Sequence, residues 1–284
     1  MTATTTTGIS TPEGAFTADV AGPREGALVL LLHGFPQSRH TWRDCLPALA
    51  AAGFRAVAAD QRGYSPGVRP AGVEAYATPR LVADVLDLAD ALDAERFHLV
   101  GHDWGGQVAW LTAAQHPERV RTLTVLSRPH PAAFARSFAL DPEQSERSKH
   151  HRAMTPELTD RWWAAGCAAL RAMLERAEVP AAVVDAYLAT FAERDALDAA
   201  MNWYRAAAAA GPGLRAADTP DVTVPVLYLW GTVDQSVGRR AAQLTAEHVR
   251  GPYRFVEVEG AGHFLTDDHG APTVVQELLA HVAG

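Results

Sequence analysis

One short segment carries the residues best suited to covalent catalysis. The sequence Gly-His-Asp-Trp-Gly-Gly at residues 101–106 follows the apolar run Phe97–Val100 and precedes the helical stretch Gln107–Gln115. A sharp turn from strand to helix, built with small residues, exposes its central side chain near the helix N-terminus. That central residue is Asp103, whose carboxylate can attack a saturated carbon and form an ester without first losing a proton. Taken alone, the motif also fits an ordinary tight turn.

Two further residues follow later strands in the order of a catalytic triad. Asp234 comes shortly after the apolar run Val224–Trp230, and His263 comes shortly after the run Arg254–Val258. Because the carboxyl ends of parallel strands lie along one edge of a sheet, these loops should converge on the loop that carries Asp103. The order nucleophile, acid, histidine is the one expected when a strand-to-helix turn carries the nucleophile. We therefore predict that Asp234 orients His263 and that His263 activates water.

The loop after the first strong strand supplies candidate donors for an oxyanion. His-Gly-Phe-Pro at residues 33–36 ends the apolar run Ala27–Leu32. The backbone N–H groups of Phe35 and Trp104 are placed to form an oxyanion hole at the Asp103 carboxyl group. Such donors do not assist attack on a saturated carbon, but they stabilise the tetrahedral oxyanion that forms when water hydrolyses the ester. The sequence therefore assigns both amides to the second half of the reaction.

A parallel sheet must position these residues, and the sequence predicts one. Short apolar runs rich in β-branched residues alternate with helical patterns such as Thr78–Leu92, which is typical of βαβ units in a doubly wound sheet. Two later strands and a helix around Thr273–Val282 complete the pattern. In between, residues 161–176, 181–191 and 196–210 have helical patterns with no strand among them.

The predicted fold class is therefore α/β, with a mostly parallel doubly wound sheet and an inserted helical cap. The core is predicted to comprise residues 13–134 and 220–284, and the cap residues 135–219. The Thr-rich residues 1–12 have neither the basic region nor the apolar run of a signal peptide. We predict that they form a disordered leader.

Composition disfavours several classes of function. The chain of 284 residues has 25 Lys and Arg against 33 Asp and Glu, a formal net charge of −8, so it lacks the basic character of proteins that bind nucleic acids or anionic membranes. No apolar run approaches the roughly 20 residues of a membrane-spanning helix. Cys45 and Cys167 form neither a disulfide framework nor a recognisable zinc site. These features predict a cytoplasmic protein without a metal, either a monomer or a homodimer.

With these motifs in place, the chain resembles α/β-hydrolase-fold enzymes of the epoxide hydrolase group. The resemblance covers essentially the whole chain after about Gly14. It rests on the triad residues and on five motifs, at residues 33–36, 60–65 (Asp-Gln-Arg-Gly-Tyr-Ser), 101–106, 128–131 (Arg-Pro-His-Pro) and 202–205 (Asn-Trp-Tyr-Arg). It implies that the chain opens a small apolar epoxide to a vicinal diol, without a cofactor, through a hydroxyalkyl ester on Asp103.

The resemblance also assigns roles to cap residues. Tyr204 would hydrogen-bond the epoxide oxygen, because a phenol can act as a general acid at neutral pH. The group usually has a second cap tyrosine where this chain has histidines, so His150 is the predicted second donor and His151 the alternative in register. An alternative for these residues is packing within the cap or exposure to solvent. The residues predicted to bind the substrate are Phe35, Trp104, Trp162 and Trp163.

Two other functions use the same fold. A haloalkane or haloacid dehalogenase would share the nucleophile, but haloalkane dehalogenases commonly have asparagine where Phe35 stands. Fluoroacetate dehalogenases have an arginine where Trp104 stands, and neither group explains Tyr204. A non-catalytic receptor for a small apolar molecule would be expected to lack a triad residue, and this chain has all three.

Overall fold

Eight strands form one sheet in the computed structural model, which describes residues 3–148, 155–209 and 219–284. Their order across the sheet is β1-β2-β4-β3-β5-β6-β7-β8. The last six strands in this order, β4-β3-β5-β6-β7-β8, all pair in parallel. The α/β fold class with a mostly parallel sheet is confirmed. The strands are β1 (Thr5–Thr11), β2 (Gly14–Ala21), β3 (Leu28–Leu32), β4 (Arg55–Ala59), β5 (Phe97–His102), β6 (Val120–Leu126), β7 (Val226–Gly231) and β8 (Tyr253–Val258).

The first two strands correct the prediction of a disordered leader over residues 1–12. β1 pairs antiparallel with β2 along its whole length, and β2 pairs antiparallel with β4. Ile9 is the only fully buried residue of β1, because this strand lies at the edge of the sheet. An exposed edge strand needs little apolar sequence, and threonine, which is frequent here, favours extended structure.

Helices cover both faces of the sheet. The helices α1 (Cys45–Ala51) and α10 (Ala271–Ala283) pack on one face, and α2 (Thr78–Ala91) and α3 (Trp104–Gln115) pack on the other. Successive strand residues point to opposite faces. Leu31 therefore belongs to the apolar cluster beneath α1 and α10, whereas Leu30 belongs to the cluster beneath α2 and α3.

The predicted cap region is helical wherever the structure describes it. None of its described residues between β6 and Pro220 forms a strand. Its helices pack into the same apolar cluster as α2 and α3, so the two regions share a continuous interface. No helix among the described residues is long and apolar enough to cross a membrane. The cap helices are α4 (Pro131–Leu140), α5 (Pro142–Arg147), α6 (Pro156–Arg176), α7 (Ala181–Ala189) and α8 (Arg194–Ala209), and α9 (Arg239–Leu244) follows β7.

The long helix of the cap differs from its prediction. A continuous helix over residues 161–176 was expected, but α6 begins at Pro156, where the Thr155 side chain accepts a hydrogen bond from the Leu158 N–H. The backbone then leaves helical geometry from Ala164 to Cys167. Gly166 lies within this break at a φ of 67°. Amphipathic spacing continues on both sides of the break, which is why periodicity alone does not reveal it.

Candidate active site

Asp103 occupies a strained turn between β5 and α3. Its φ is 49° and its ψ is −115°, a conformation that costs energy for a residue with a side chain. Neighbouring backbone leaves no room for larger residues, since a Cβ on Gly34 would lie 2.5 Å from Asp103 Cβ. A Cβ on Gly105 would lie 2.3 Å from the Leu32 carbonyl oxygen. The small residues of the motif therefore let the turn project its carboxylate toward the cap.

The structure brings the three predicted triad residues together. His263 Nε2 lies 3.6 Å from Asp103 Oδ2, and His263 Nδ1 lies 2.9 Å from Asp234 Oδ2. The buried Asp234 carboxylate is itself fixed, because the N–H groups of Ser236 and Val237 donate to its Oδ1 at 2.7 and 3.0 Å. This is the arrangement in which a carboxylate orients an imidazole between itself and a nucleophile.

Two side chains to which the sequence assigned no catalytic role hold His263 in place. The His102 Nε2 and the Ser127 hydroxyl both donate to the His263 carbonyl oxygen, at 2.8 and 2.7 Å. Burial, followed by the nearby His263, lowers the pKa of His102 to about 4. The His102 imidazole is therefore uncharged at neutral pH and holds the His263 backbone by its hydrogen bond. The only sequence signal for this role was the position of His102 at the end of an apolar strand.

The charges of Asp103 and His263 stabilise each other. Burial alone would lower the pKa of His263, but the charge of Asp234 and the hydrogen bonds with both aspartates raise it to about 10. Burial alone would raise the pKa of Asp103, but its hydrogen bond and charge interaction with His263 hold it below its usual range. The resting site is therefore an imidazolium between two carboxylates.

The loop that carries Phe35 places its amide at the nucleophile. The Phe35 N–H donates to Asp103 Oδ1 at 3.1 Å. Buried His33 holds this loop, because its Nδ1 donates to the Gly34 carbonyl at 2.9 Å and its Nε2 accepts from the Gln61 N–H at 3.1 Å. The Trp104 amide is the first of α3, where an N–H has no carbonyl partner within the helix. Both amides predicted for an oxyanion hole thus adjoin Asp103.

Tyr204 reaches the site from cap helix α8. Its ring contacts Trp104 and Phe35 edge-on, with centroids 4.9 and 5.7 Å apart. Burial, and then the negative charge of Asp103, raise the pKa of Tyr204. The hydroxyl therefore remains protonated, and able to donate, throughout the neutral range. The neighbouring Trp203 donates its indole N–H to the Arg62 carbonyl of the core at 2.9 Å, which anchors this part of α8.

A cavity of about 300 Å³ separates the triad from the cap. Asp103 and His263 line it from the core, and Tyr204 and Trp162 line it from the cap. Neither Trp163 nor Trp104 is among the residues that line it, so their roles in substrate binding stay predictions. Neighbouring residues on a helix point about 100° apart, and the Trp163 side chain turns outward, 39% exposed, beside a different pocket.

The second predicted donor to the epoxide oxygen is a histidine of the cap. His150 and its alternative His151 lie outside the described residues. No group of three or more His, Cys, Asp or Glu side chains within residues 3–148, 155–209 and 219–284 is arranged to hold a metal ion. The predicted groups that the described residues bring to this site are therefore one nucleophilic carboxylate, one imidazole with its aspartate, backbone donors and a phenol.

One cavity residue was missed as a functional candidate. Arg128 follows β6, lines the cavity beside Asp103 and is only 9% exposed. The sequence did include it in the motif Arg-Pro-His-Pro at residues 128–131, but gave the arginine no role. A charged residue two positions after the end of a buried apolar strand was the available signal, because such positions lie at the functional edge of an α/β sheet.

Comparisons with known proteins agree with this geometry. The family model for the alpha/beta hydrolase fold matches residues 27–270. Epoxide hydrolase A of Mycobacterium tuberculosis is 32% identical to this chain, and the alignment covers 93% of this chain and 92% of that protein. The chain belongs to the α/β-hydrolase family, in its epoxide hydrolase group. This α/β-hydrolase is also 31% identical to the AB hydrolase superfamily protein YfhM of Bacillus subtilis, with 91% of each chain covered.

A solved structure gives the same result in three dimensions. This α/β-hydrolase superposes with a TM-score of 0.82 and 29% identity on a structure described as a novel epoxide hydrolase from metagenomes of hot environments. The match covers 97% of this chain and 98% of the other. The likeness therefore includes the helical region between β6 and β7 as well as the sheet.

Proposed function

We propose that this enzyme hydrolyses a small epoxide to a vicinal diol through an ester on Asp103. The observation that carries the proposal is the placement of a nucleophilic carboxylate and a phenol on the core and cap walls of one cavity. Asp103 can attack a ring carbon while Tyr204 hydrogen-bonds the ring oxygen. The related epoxide hydrolases named above support the same reaction class.

In the first step, Asp103 Oδ2 forms a bond to a ring carbon and the bond from that carbon to the ring oxygen breaks. The electron pair passes to the oxygen, which takes the proton of Tyr204. A phenol of raised pKa still suffices, because an alkoxide is a stronger base than a phenolate. The products are a hydroxyalkyl ester on Asp103 and a tyrosinate, which the imidazolium of His263 on the core wall of the same cavity reprotonates.

Ester formation also prepares His263 for the second step. The ester carries no charge, so it removes one of the two carboxylates that raise the pKa of His263. The neutral imidazole can then take a proton from water as that water attacks the Asp103 carboxyl carbon. Oδ1 becomes the oxyanion, where the Phe35 N–H already donates. Expulsion of the diol, with a proton from His263, leaves an acid that returns its proton to the imidazole.

Trapping the ester tests this proposal. His263→Ala removes the base, so incubation with styrene oxide should add the mass of the whole epoxide, and peptide digestion should locate it on Asp103. The matched control is the double variant Asp103→Asn, His263→Ala, which should remain unmodified. An adduct from bromobutane alone, without bromine, would instead establish a dehalogenase. Absence of any adduct, with styrene oxide also left unopened by the wild type, would contradict the proposed reaction.

A further inference from the structure

Arg128 places a positive charge in the wall of the active-site cavity. The residue follows the carboxyl end of β6, and its side chain lines the cavity together with Asp103, Phe134 and Trp162. Its guanidinium carbon lies 4.4 Å from the centroid of the Phe134 ring and 5.7 Å from that of the Trp104 ring. Both distances are within the range of a cation–π interaction.

Within the described part of the chain, Arg128 has no anionic partner, unlike Arg62, the other buried arginine there. Its guanidinium makes one hydrogen bond among the described residues, from Nε to Gln107 Oε1 at 3.1 Å, and no described carboxylate lies within ion-pair distance of it. Arg62, by contrast, is buried against Asp84 with contacts of 2.7 and 2.6 Å. Arg147, also at the cavity, pairs with Glu143.

Burying a guanidinium without an ion pair is energetically unfavourable. Taking a charge out of water costs several kcal/mol unless a counter-charge and hydrogen bonds replace the water. Burial accordingly lowers the pKa of Arg128, and the negative charge of Asp103 offsets this only in part. Asp103 is itself already engaged with His263. No described residue therefore supplies Arg128 with a negative charge of its own.

We propose that Arg128 binds a carboxylate carried by the substrate, so that the preferred epoxide has a small apolar body and one anionic group. The inference rests on the proposed epoxide hydrolysis and specifies its substrate class. A guanidinium matches a carboxylate because its planar donors can form two parallel hydrogen bonds. The apolar remainder fits the neighbouring aromatic walls, and the cavity of about 300 Å³ lies at the small end of ligand sites.

The reaction itself increases the benefit of such a group. When Asp103 becomes a neutral ester, Arg128 loses the one nearby negative charge that offsets its burial. A carboxylate on the bound hydroxyalkyl group would keep the guanidinium compensated throughout the ester's lifetime. The imidazolium of His263, held between Asp103 and Asp234, also reduces the repulsion between the nucleophile and an incoming anion.

The test compares two epoxides that differ only in charge, phenylglycidate and phenylglycidamide. The wild type should show the higher kcat/KM on the acid, and Arg128→Met should lower the ratio of acid to amide by about 10- to 100-fold. A loss of activity that affects both substrates equally leaves this ratio unchanged. Arg128→Lys, which keeps the charge but loses the planar fork, should give an intermediate ratio. The control Arg136→Met changes an exposed arginine of α4 that pairs with Glu247, and should leave the ratio unaltered.

A binding measurement avoids turnover altogether. Calorimetry should show that the wild type binds cinnamate more tightly than cinnamamide, and that Arg128→Met loses this preference. A wild type with no preference for the anion in either assay would overturn the inference. So would an equal fall in acid and amide kinetics in Arg128→Met, since that result assigns the arginine to Asp103 alone. Turnover of styrene oxide by the wild type separates these outcomes from failure of epoxide hydrolysis itself.

Discussion

The core and the cap hold their functional groups by different means. In the core, hydrogen bonds from backbone and buried side chains fix Asp103, Asp234 and His263 at the ends of strands. In the cap, ring contacts with Phe35 and Trp104 help to position Tyr204. The core is therefore organised to form and hydrolyse an ester, whereas the cap is organised to select the electrophile.

The junction between the two regions also relies on a few buried polar contacts. The Tyr187 hydroxyl of α7 lies 2.8 and 2.7 Å from the two carboxylate oxygens of Asp267 in the core. Gln37 and Arg43 donate to the same carboxylate, each at 2.7 Å. This network links the cap to the core without contacting the reacting atoms.

The largest expected effect comes from removing the nucleophile of the core. Asp103→Asn should lower kcat for diol formation by about 10⁴-fold or more, because no other described carboxylate contacts the cavity side of His263. Steady-state kinetics would measure this, with circular dichroism and intact mass confirming the fold and the substitution. Retention of more than a tenth of the activity would contradict the assignment of the nucleophile to Asp103 of the core.

A smaller effect should follow from the cap. Tyr204→Phe keeps the ring contacts but removes the acid, so the rate of ester formation should fall about 10²-fold. Hydrolysis of ester already formed should change little, because that step uses core groups alone. Single-turnover experiments separate the two rates. If hydrolysis slows as much as ester formation, the cap also serves the second step, and hydrolysis does not use core groups alone.

The junction should affect stability more than chemistry. Tyr187→Phe removes one donor from the buried Asp267, which should lower the free energy of unfolding by about 1–3 kcal/mol. Amide hydrogen exchange should increase in α7 more than in the strands. Tyr76→Phe is a matched control within the core, where the hydroxyl donates to the Pro70 carbonyl at 2.8 Å. Equal exchange in α7 for both variants would argue against a specific role in cap docking.

The charges of the triad predict a pH dependence of stability. The pKa of His263 is raised to about 10 in the folded protein, so its contribution is complete below the unfolded pKa of about 6.5 and is lost as pH rises through the folded value. Stability should therefore fall between these values. Asp103→Asn removes one cause of the raised pKa and should narrow this range. Denaturant unfolding at several pH values, with NMR titration of His263, would measure both effects.

The sequence was sufficient to predict structural features that depend on residues close together along the chain. Apolar runs predicted β3 to β8, and small residues around Asp103 predicted the turn after β5. The positions of Asp234 and His263 after later strands predicted a triad, because parallel strands carry their following loops to one edge. The identities of the three side chains then indicated the chemistry.

The tertiary structure decided features that depend on distant neighbours. β1 is a strand because β2 pairs with it, although its exposed residues have little apolar pattern. Trp162 faces the cavity and Trp163 faces outward because cap packing sets the rotation of their helix, which composition does not reveal. The position of Arg128 beside Asp103 likewise required the folded sheet. Sequence determined which groups are available for chemistry, whereas burial and charge in three dimensions decided which of them meet.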